Sequence, residues 1–244
     1  MRTSNPALGD KTFNLRAAAG EESMTIRGTV NKSAILIGII VFAGALSWTQ
    51  FMSGNSIAMI LLWGGVIGGL ILAIITIFKK EWAPVTAPIY AAFEGLALGG
   101  ISAMAEMMFS GIVMQAILLT VGTFVTLLAA YRSGLIKATE NFKLGVVAAT
   151  GAIGLIYMIS FGMRLFGMQM PYLHDNGLIG IGISLVIVVV AALNLVLDFD
   201  FIENGAEKKA PKFMEWYAAF GLIVTLVWLY LEILRLLMKL NSRR

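Results

Sequence analysis

The stretch SAILIGIIVFAGALSWTQFMSGNSIAMILLWGGVIGGLILAIITIF, Ser33 to Phe78, contains no charged residue over 46 positions. That is room for two helices of about 20 residues, the length that crosses a hydrocarbon core about 30 Å thick. Gly54-Asn55 gives a turn signal near its middle. The stretch therefore predicts one span over Ala34–Phe51 and a second over Ile57–Phe78. Apolar residues cover every face of both segments, which suits lipid or bundle contact better than the single stripe of a surface helix. A membrane barrel would alternate apolar and polar residues over about 10 positions, and no segment does.

The same pattern repeats along the chain. Lys79-Lys80-Glu81 ends the second span, and Pro84 and Pro88 open a third over Ala87–Met108. The fourth covers Ile112–Ala130 and stops at Tyr131-Arg132, before a polar loop from Ser133 to Lys143. The fifth is Leu144–Phe166, and a loop from Met168 to Asn176 carries Pro171 and His174. The sixth, Leu178–Leu197, runs into Asp198-Phe199-Asp200, and a charged linker, Glu203 to Lys212, leads to a seventh at Trp216–Met238. The expected fold is all-α and integral to a membrane: seven transmembrane helices in residues 31–240, preceded by a tail of residues 1–30.

Composition agrees. Of 244 residues, 59% are hydrophobic and 13% are charged, against about 25% charged in soluble domains. A soluble globule cannot cover so much apolar surface, which excludes an ordinary soluble enzyme, a disordered chain and a nucleic-acid module. Cysteine is absent and histidine occurs once, so disulfides, thiolate chemistry and multi-histidine metal sites are excluded. The first 30 residues lack the apolar run of a signal peptide, and Glu21-Glu22 interrupt them.

Charge placement sets an expected orientation. The tail (Arg2, Lys11, Arg16, Arg27, Lys32) and the loops with Lys79-Lys80, with Arg132, Lys137 and Lys143, and with Lys208, Lys209 and Lys212 hold 13 of the 18 basic residues on one side. The positive-inside rule makes that side, and the N-terminus, cytoplasmic. Lys208–Lys212 reads as a topology anchor, or as a contact for anionic headgroups. Arg235, Lys239, Arg243 and Arg244 fall on the opposite side if the last span crosses.

Glycines at Gly64/Gly68, Gly65/Gly69 and Gly95/Gly99 make G-x-x-x-G pairs, which let helix backbones approach closely. Ionisable groups at membrane depth carry more information, because each is costly unless paired or wet. Glu94 lies 12 residues after Trp82 and 15 before Phe109, near the middle of the third span. It is either a protonated acid bonded to a neighbour or a pathway group. Asp198 and Asp200 end the sixth span; two apart, they point about 200° from one another on a helix, so one at most faces inward. Asn194 shares a face with Asp198. Glu232, inside the seventh span, is three residues from Arg235 and within reach of a local pair. From span centres near residues 188 and 227, Asp198 lies about 15 Å toward one surface and Glu232 about 7 Å toward the other. Direct contact between them requires the sixth span to start deeper or the seventh to begin below the membrane surface; otherwise Glu232 stays with Arg235. The chain has no His-Glu-x-x-His, Gly-x-Ser-x-Gly, Walker loop or Thr-Val-Gly-Tyr-Gly filter. What remains is carboxylate chemistry, suited to protons and hard cations such as Na⁺ and Ca²⁺.

Leu195-Val196-Leu197-Asp198-Phe199-Asp200 followed by Leu229-Tyr230-Leu231-Glu232, with Glu94-Gly95-Leu96-Ala97-Leu98-Gly99 in the third span, resembles the Bax inhibitor-1/YccA family over residues 25–240. Met1–Leu8, Gly28–Lys32 and Glu215-Trp216-Tyr217 resemble a bacterial subfamily with a longer cytoplasmic tail. The resemblance implies a seven-helix bundle with the last helix central. It also implies a pH-sensitive calcium leak of the inner membrane, with a shared-proton acid pair as latch. That pair falls on Asp198 and Glu232, which would also coordinate calcium transiently; here the second member is Glu rather than Asp, and the intervening linker is long. Glu94 and Asp200 are further candidates for the ion pathway, with Asn194 and Arg235 in support.

Two other readings stand beside the leak. One is a membrane interaction protein that binds a quality-control protease complex through the tail and Lys208–Lys212. The other is a proton-coupled transporter, for which no inverted repeat is visible. None of the three is enzymatic. No cofactor is expected, calcium enters as permeant ion, and the expected surroundings are the lipid bilayer and a membrane protein partner, with no nucleic acid.

Overall fold

The computed structural model describes residues 22–168 and 177–243. Residues 1–21 of the expected tail, and the loop residue His174, lie outside the described residues. Among the described residues there are seven long helices: α1 (Ile26–Met52), α2 (Ile57–Phe78), α3 (Ala83–Met108), α4 (Ile112–Arg132), α5 (Glu140–Leu165), α6 (Leu178–Glu207) and α7 (Met214–Asn241), with a short 3-10 turn at Lys80–Trp82. All seven are long and apolar enough to cross a membrane. The all-α membrane architecture expected from the sequence is the architecture found.

The helices extend past the apolar runs that announced them. α1 starts at Ile26, eight residues before the expected span, because Thr25 caps it by accepting from the Gly28 N–H at 2.9 Å. α5 starts at Glu140 behind a Thr139 cap that accepts from the Phe142 N–H at 3.3 Å. α3 starts at Ala83; Pro84 sits in its first turn, where a missing N–H costs nothing, and Pro88 is accommodated inside the helix. α6 continues ten residues beyond Leu197, to Glu207. Its 30 residues span about 45 Å, more than a hydrocarbon core requires. Asp198 and Asp200 therefore lie within a continuous helix rather than at its frayed end.

The chain forms two compact units. One comprises the chain up to Met104 together with Asp200–Ile223; the other comprises Ala105–Phe199 and Val224–Arg244. In the first, α1 and α3 meet through glycine. A Cβ at Gly99 would collide with the carbonyl oxygen of Gly44, and one at Gly95 would lie 2.6 Å from that of Ile40. The Gly95/Gly99 pair thus marks a close helix crossing, whereas Gly64 faces open space. Thr76 and Thr86 join α2 to α3 by a hydroxyl bond of 2.7 Å. In the second unit, Ile153, Ile187, Tyr157, Ile183, Val190 and Trp228 form an apolar cluster between α5, α6 and α7. Phe199 packs there against Phe124 and Tyr131.

Burial divides the helices. Half of the most apolar window of α3 is buried, as is 39% of that in α6 and 44% in α7, against 17% in α1, α4 and α5. The outward residues of those three helices include Phe42 at 69% exposure and Phe161 at 66%. Aromatic side chains so bare are unfavourable in water and ordinary in lipid.

Candidate functional site

In the second unit, α6 and α7 run antiparallel and meet through polar side chains at two levels. At one, the Thr225 hydroxyl bonds the Asp198 carboxylate. At the other, Lys239 Nζ donates to Ser184 Oγ at 2.9 Å and to the Gly180 carbonyl at 3.0 Å. The same fourteen residues separate the two levels on each helix, Ser184 to Asp198 and Thr225 to Lys239. That identity fixes the register. It corresponds to about 21 Å along the helices.

Glu232 falls midway, seven residues from both Thr225 and Lys239. Seven residues bring a side chain back to nearly the same helix face, so the three form one polar row on α7. The residue facing Glu232 in this register is Ala191, which is fully buried and offers nothing polar. Glu232 turns to α5 instead. The Tyr157 hydroxyl donates to its Oε1 at 2.8 Å, and Arg235 Nη1 contacts both carboxylate oxygens at 3.0 Å. Arg235 also donates to the Tyr157 hydroxyl at 2.5 Å and lies over its ring, 5.3 Å from the centroid. Glu232 is 2% exposed, and its charge is compensated where it lies.

Asp198 is held differently. Its Oδ2 is fully covered and has no hydrogen-bond partner. Asn194, one turn away on the same face, does not supply one: its amide donates to Thr150 Oγ1 and to the Val190 carbonyl, both at 2.8 Å. The structure thus joins Glu232 to Arg235 and Asp198 to Thr225, which lies about 10 Å from Glu232 along α7. A proton shared directly between these two acids does not fit that register, and the reason is the seven-residue offset. Thr225 occupies the position opposite Asp198. Joint coordination of calcium by Asp198 and Glu232 fails for the same reason. Among the described residues, no group of three or more His, Asp or Glu side chains gathers as a metal cage.

The remaining candidates belong to the first unit. Glu94, on α3, bonds the hydroxyl of Tyr90 one turn earlier and lies beside Gly69 of α2, where an added Cβ would sit 3.1 Å from Glu94 Oε2. It is a partnered acid. Asp200 is half-buried, and its carbonyl accepts from Asn204 Nδ2 at 2.7 Å.

The strongest ionic cluster of that unit was not singled out by sequence reasoning. Glu215, in the first turn of α7, is 0% exposed. It accepts from the Thr25 N–H at 3.0 Å and the Thr25 hydroxyl at 2.9 Å, and it pairs with Lys212 at 3.1 Å and Lys32 at 3.3 Å. A Cβ at Gly28 would strike the Glu215 carboxylate, so a side chain there displaces it from the cluster. Met24 N–H donates to the Ala210 carbonyl at 2.7 Å and completes the clasp. The only advance signal for it was an acidic residue at a helix start, next to a basic linker. Thr225 and Lys239 were foreshadowed by their seven-residue spacing from Glu232. Nothing in the sequence pointed to Tyr157.

The model of the family described as Bax inhibitor 1 like matches residues 5–242, nearly the whole chain. No curated protein and no solved structure matches it.

Proposed function

The chain belongs to the Bax inhibitor 1 like family, and on that premise we propose that it is a passive, pH-sensitive cation leak, with calcium as the permeant ion and Asp198 as the group that senses protons. It works without enzymatic chemistry or a cofactor, in the inner membrane, with its N-terminus cytoplasmic. The observation that carries this reading is the covered, partnerless Oδ2 of Asp198 opposite Thr225.

A neutral carboxyl with a single hydroxyl partner is tolerated in such a place at the modest cost of one unpaired oxygen. An ionised one is not, because a buried charge with one neutral donor is strongly disfavoured. Loss of the proton therefore favours arrangements that bring water or a cation to the carboxylate. Hard, divalent Ca²⁺ takes oxygen ligands readily. In this scheme proton and cation compete for Asp198, and the leak rises with pH. Glu232, already paired with Arg235, acts as a structural anchor for α7 rather than as part of the sensor.

The test is calcium entry into liposomes loaded with indicator and carrying the purified chain, between pH 6 and pH 8. The expected result is flux that grows with pH in the wild type, a flat profile in Asp198→Asn, and a preserved profile in Glu232→Gln. Absence of flux from pure protein, or an unchanged profile in Asp198→Asn, would remove the proposal.

A further inference from the structure

The polar row on α7 has an end that the leak reading leaves unused. Lys239 is 5% exposed, although it lies two residues from the end of the helix and is followed by the exposed Leu240. A lysine so near a helix end usually extends its flexible stem and carries its ammonium to water. Here the ammonium turns inward, toward the Gly180 carbonyl and the Ser184 hydroxyl. These two are neutral oxygens on α6, the kind of ligand that Na⁺ and Ca²⁺ also take. The register places them on the same α6–α7 row as Asp198, about 21 Å away.

We propose that the Gly180 carbonyl and the Ser184 hydroxyl are part of a cation site, and that Lys239 is its tethered occupant, closing that end of the row to mobile hard cations. The fixed ammonium fills the oxygens and keeps a mobile cation from them. Between the two ends, Glu232 is taken up by Arg235 and Tyr157 and offers no free carboxylate for transfer. Lys239 and Asp198 then have opposite roles: one keeps its oxygens filled by a tethered ammonium, the other exchanges a proton for a cation. The site itself stands on the geometry of Lys239; only its effect on flux rests on the leak reading.

The experiment uses the full chain purified in detergent. Thermal midpoints are measured in choline chloride, NaCl and CaCl2 at matched ionic strength. Wild type and Lys239→Arg, which keep the charge, should show no cation-specific shift. Lys239→Ala empties the oxygens, and its midpoint should rise by about 3 °C in NaCl or CaCl2 relative to choline chloride. Adding Ser184→Ala should abolish that rise. In liposomes Lys239→Ala should pass calcium several-fold faster than wild type. If Lys239→Ala does not fold, Lys239→Ser must show the same cation-specific shift. Midpoints in the neutral variant that follow wild type in all three salts overturn the site. A cation shift in Lys239→Ala without flux in any variant keeps the site and removes the leak reading.

Discussion

Two carboxylates with covered oxygens, the buried Glu215 in one unit and the half-buried Asp198 in the other, show how differently one chain treats the same chemical group. Glu215 sits in the first turn of α7 with an N–H, a hydroxyl and two ammonium groups around it. The positive end of the helix dipole adds to that support. Asp198 has one hydroxyl partner and a covered oxygen with none; Glu215 Oε2 also lacks a hydrogen bond, but it lies 3.3 Å from the Lys32 ammonium. An acid compensated by neighbouring ammonium groups is a fixed structural charge. An under-ligated acid is one whose protonation state can change the packing around it. The contrast separates the part of the molecule that holds chain segments together from the part that responds.

The largest effect that would break this contrast is expected at Glu215. Glu215→Ala leaves Lys32, Lys212 and the Thr25 N–H without their common partner. It should cost about 2–3 kcal/mol, the lower side of a broken buried pair because both lysines are partly exposed, with side-chain exposures of 25% and 43%. A thermal midpoint lowered by less than about 2 °C would show that the clasp is ornamental. Glu232→Gln should come next, at about 1 kcal/mol, because Arg235 is 37% exposed and solvent screens the pair. Calcium flux in that variant should keep its pH profile, and a profile flattened as in Asp198→Asn would move the sensor to Glu232.

Asp198→Asn should change stability by less than about 1 kcal/mol, since the wild-type group is already short of partners, while removing the pH response. A large loss of stability would mean that Asp198 is structural after all. The smallest effect belongs to Lys212, which lies outside the spans. Its hydrogen bond to Glu215, then the charges of Glu215 and Glu22, hold its ammonium above the usual lysine range. A raised lysine value stabilises the fold at pH below the ordinary 10.5 and loses that contribution as pH climbs through the raised value. The advantage of wild type over Lys212→Met should therefore fade above about pH 10.5; melting curves of the two that stay parallel into that range would contradict the assignment.

Much of the architecture was legible because hydropathy is a local property. Predominantly apolar runs located all seven helices. Their ends were less legible, and α6 shows why. Asp198, Asp200 and Glu203 look like a water boundary, yet a helix needs backbone bonding rather than apolar side chains, and α6 continues to Glu207. The G-x-x-x-G signal was informative at five of its six glycines: Gly95 and Gly99 meet α1, Gly65, Gly68 and Gly69 meet α3, and Gly64 meets nothing. At the candidate site, the pairing of Glu232 with Arg235 could be read from three-residue spacing, since both lie on one helix. The partner of Asp198 could not.

The sequence by itself determined that this is a multi-pass helical membrane protein, that ionisable groups inside its spans are few, and which residues they are. Each of those facts depends on composition within a window of about 20 residues. The tertiary structure alone decided which acid has a cation beside it and which has a lone hydroxyl. Partners across an antiparallel helix pair depend on register, and a slide of seven residues carries a side chain about 10 Å while keeping it on the same face. Sequence spacing cannot detect such a slide. The bonds of Asp198 to Thr225 and of Lys239 to Ser184 measure it directly.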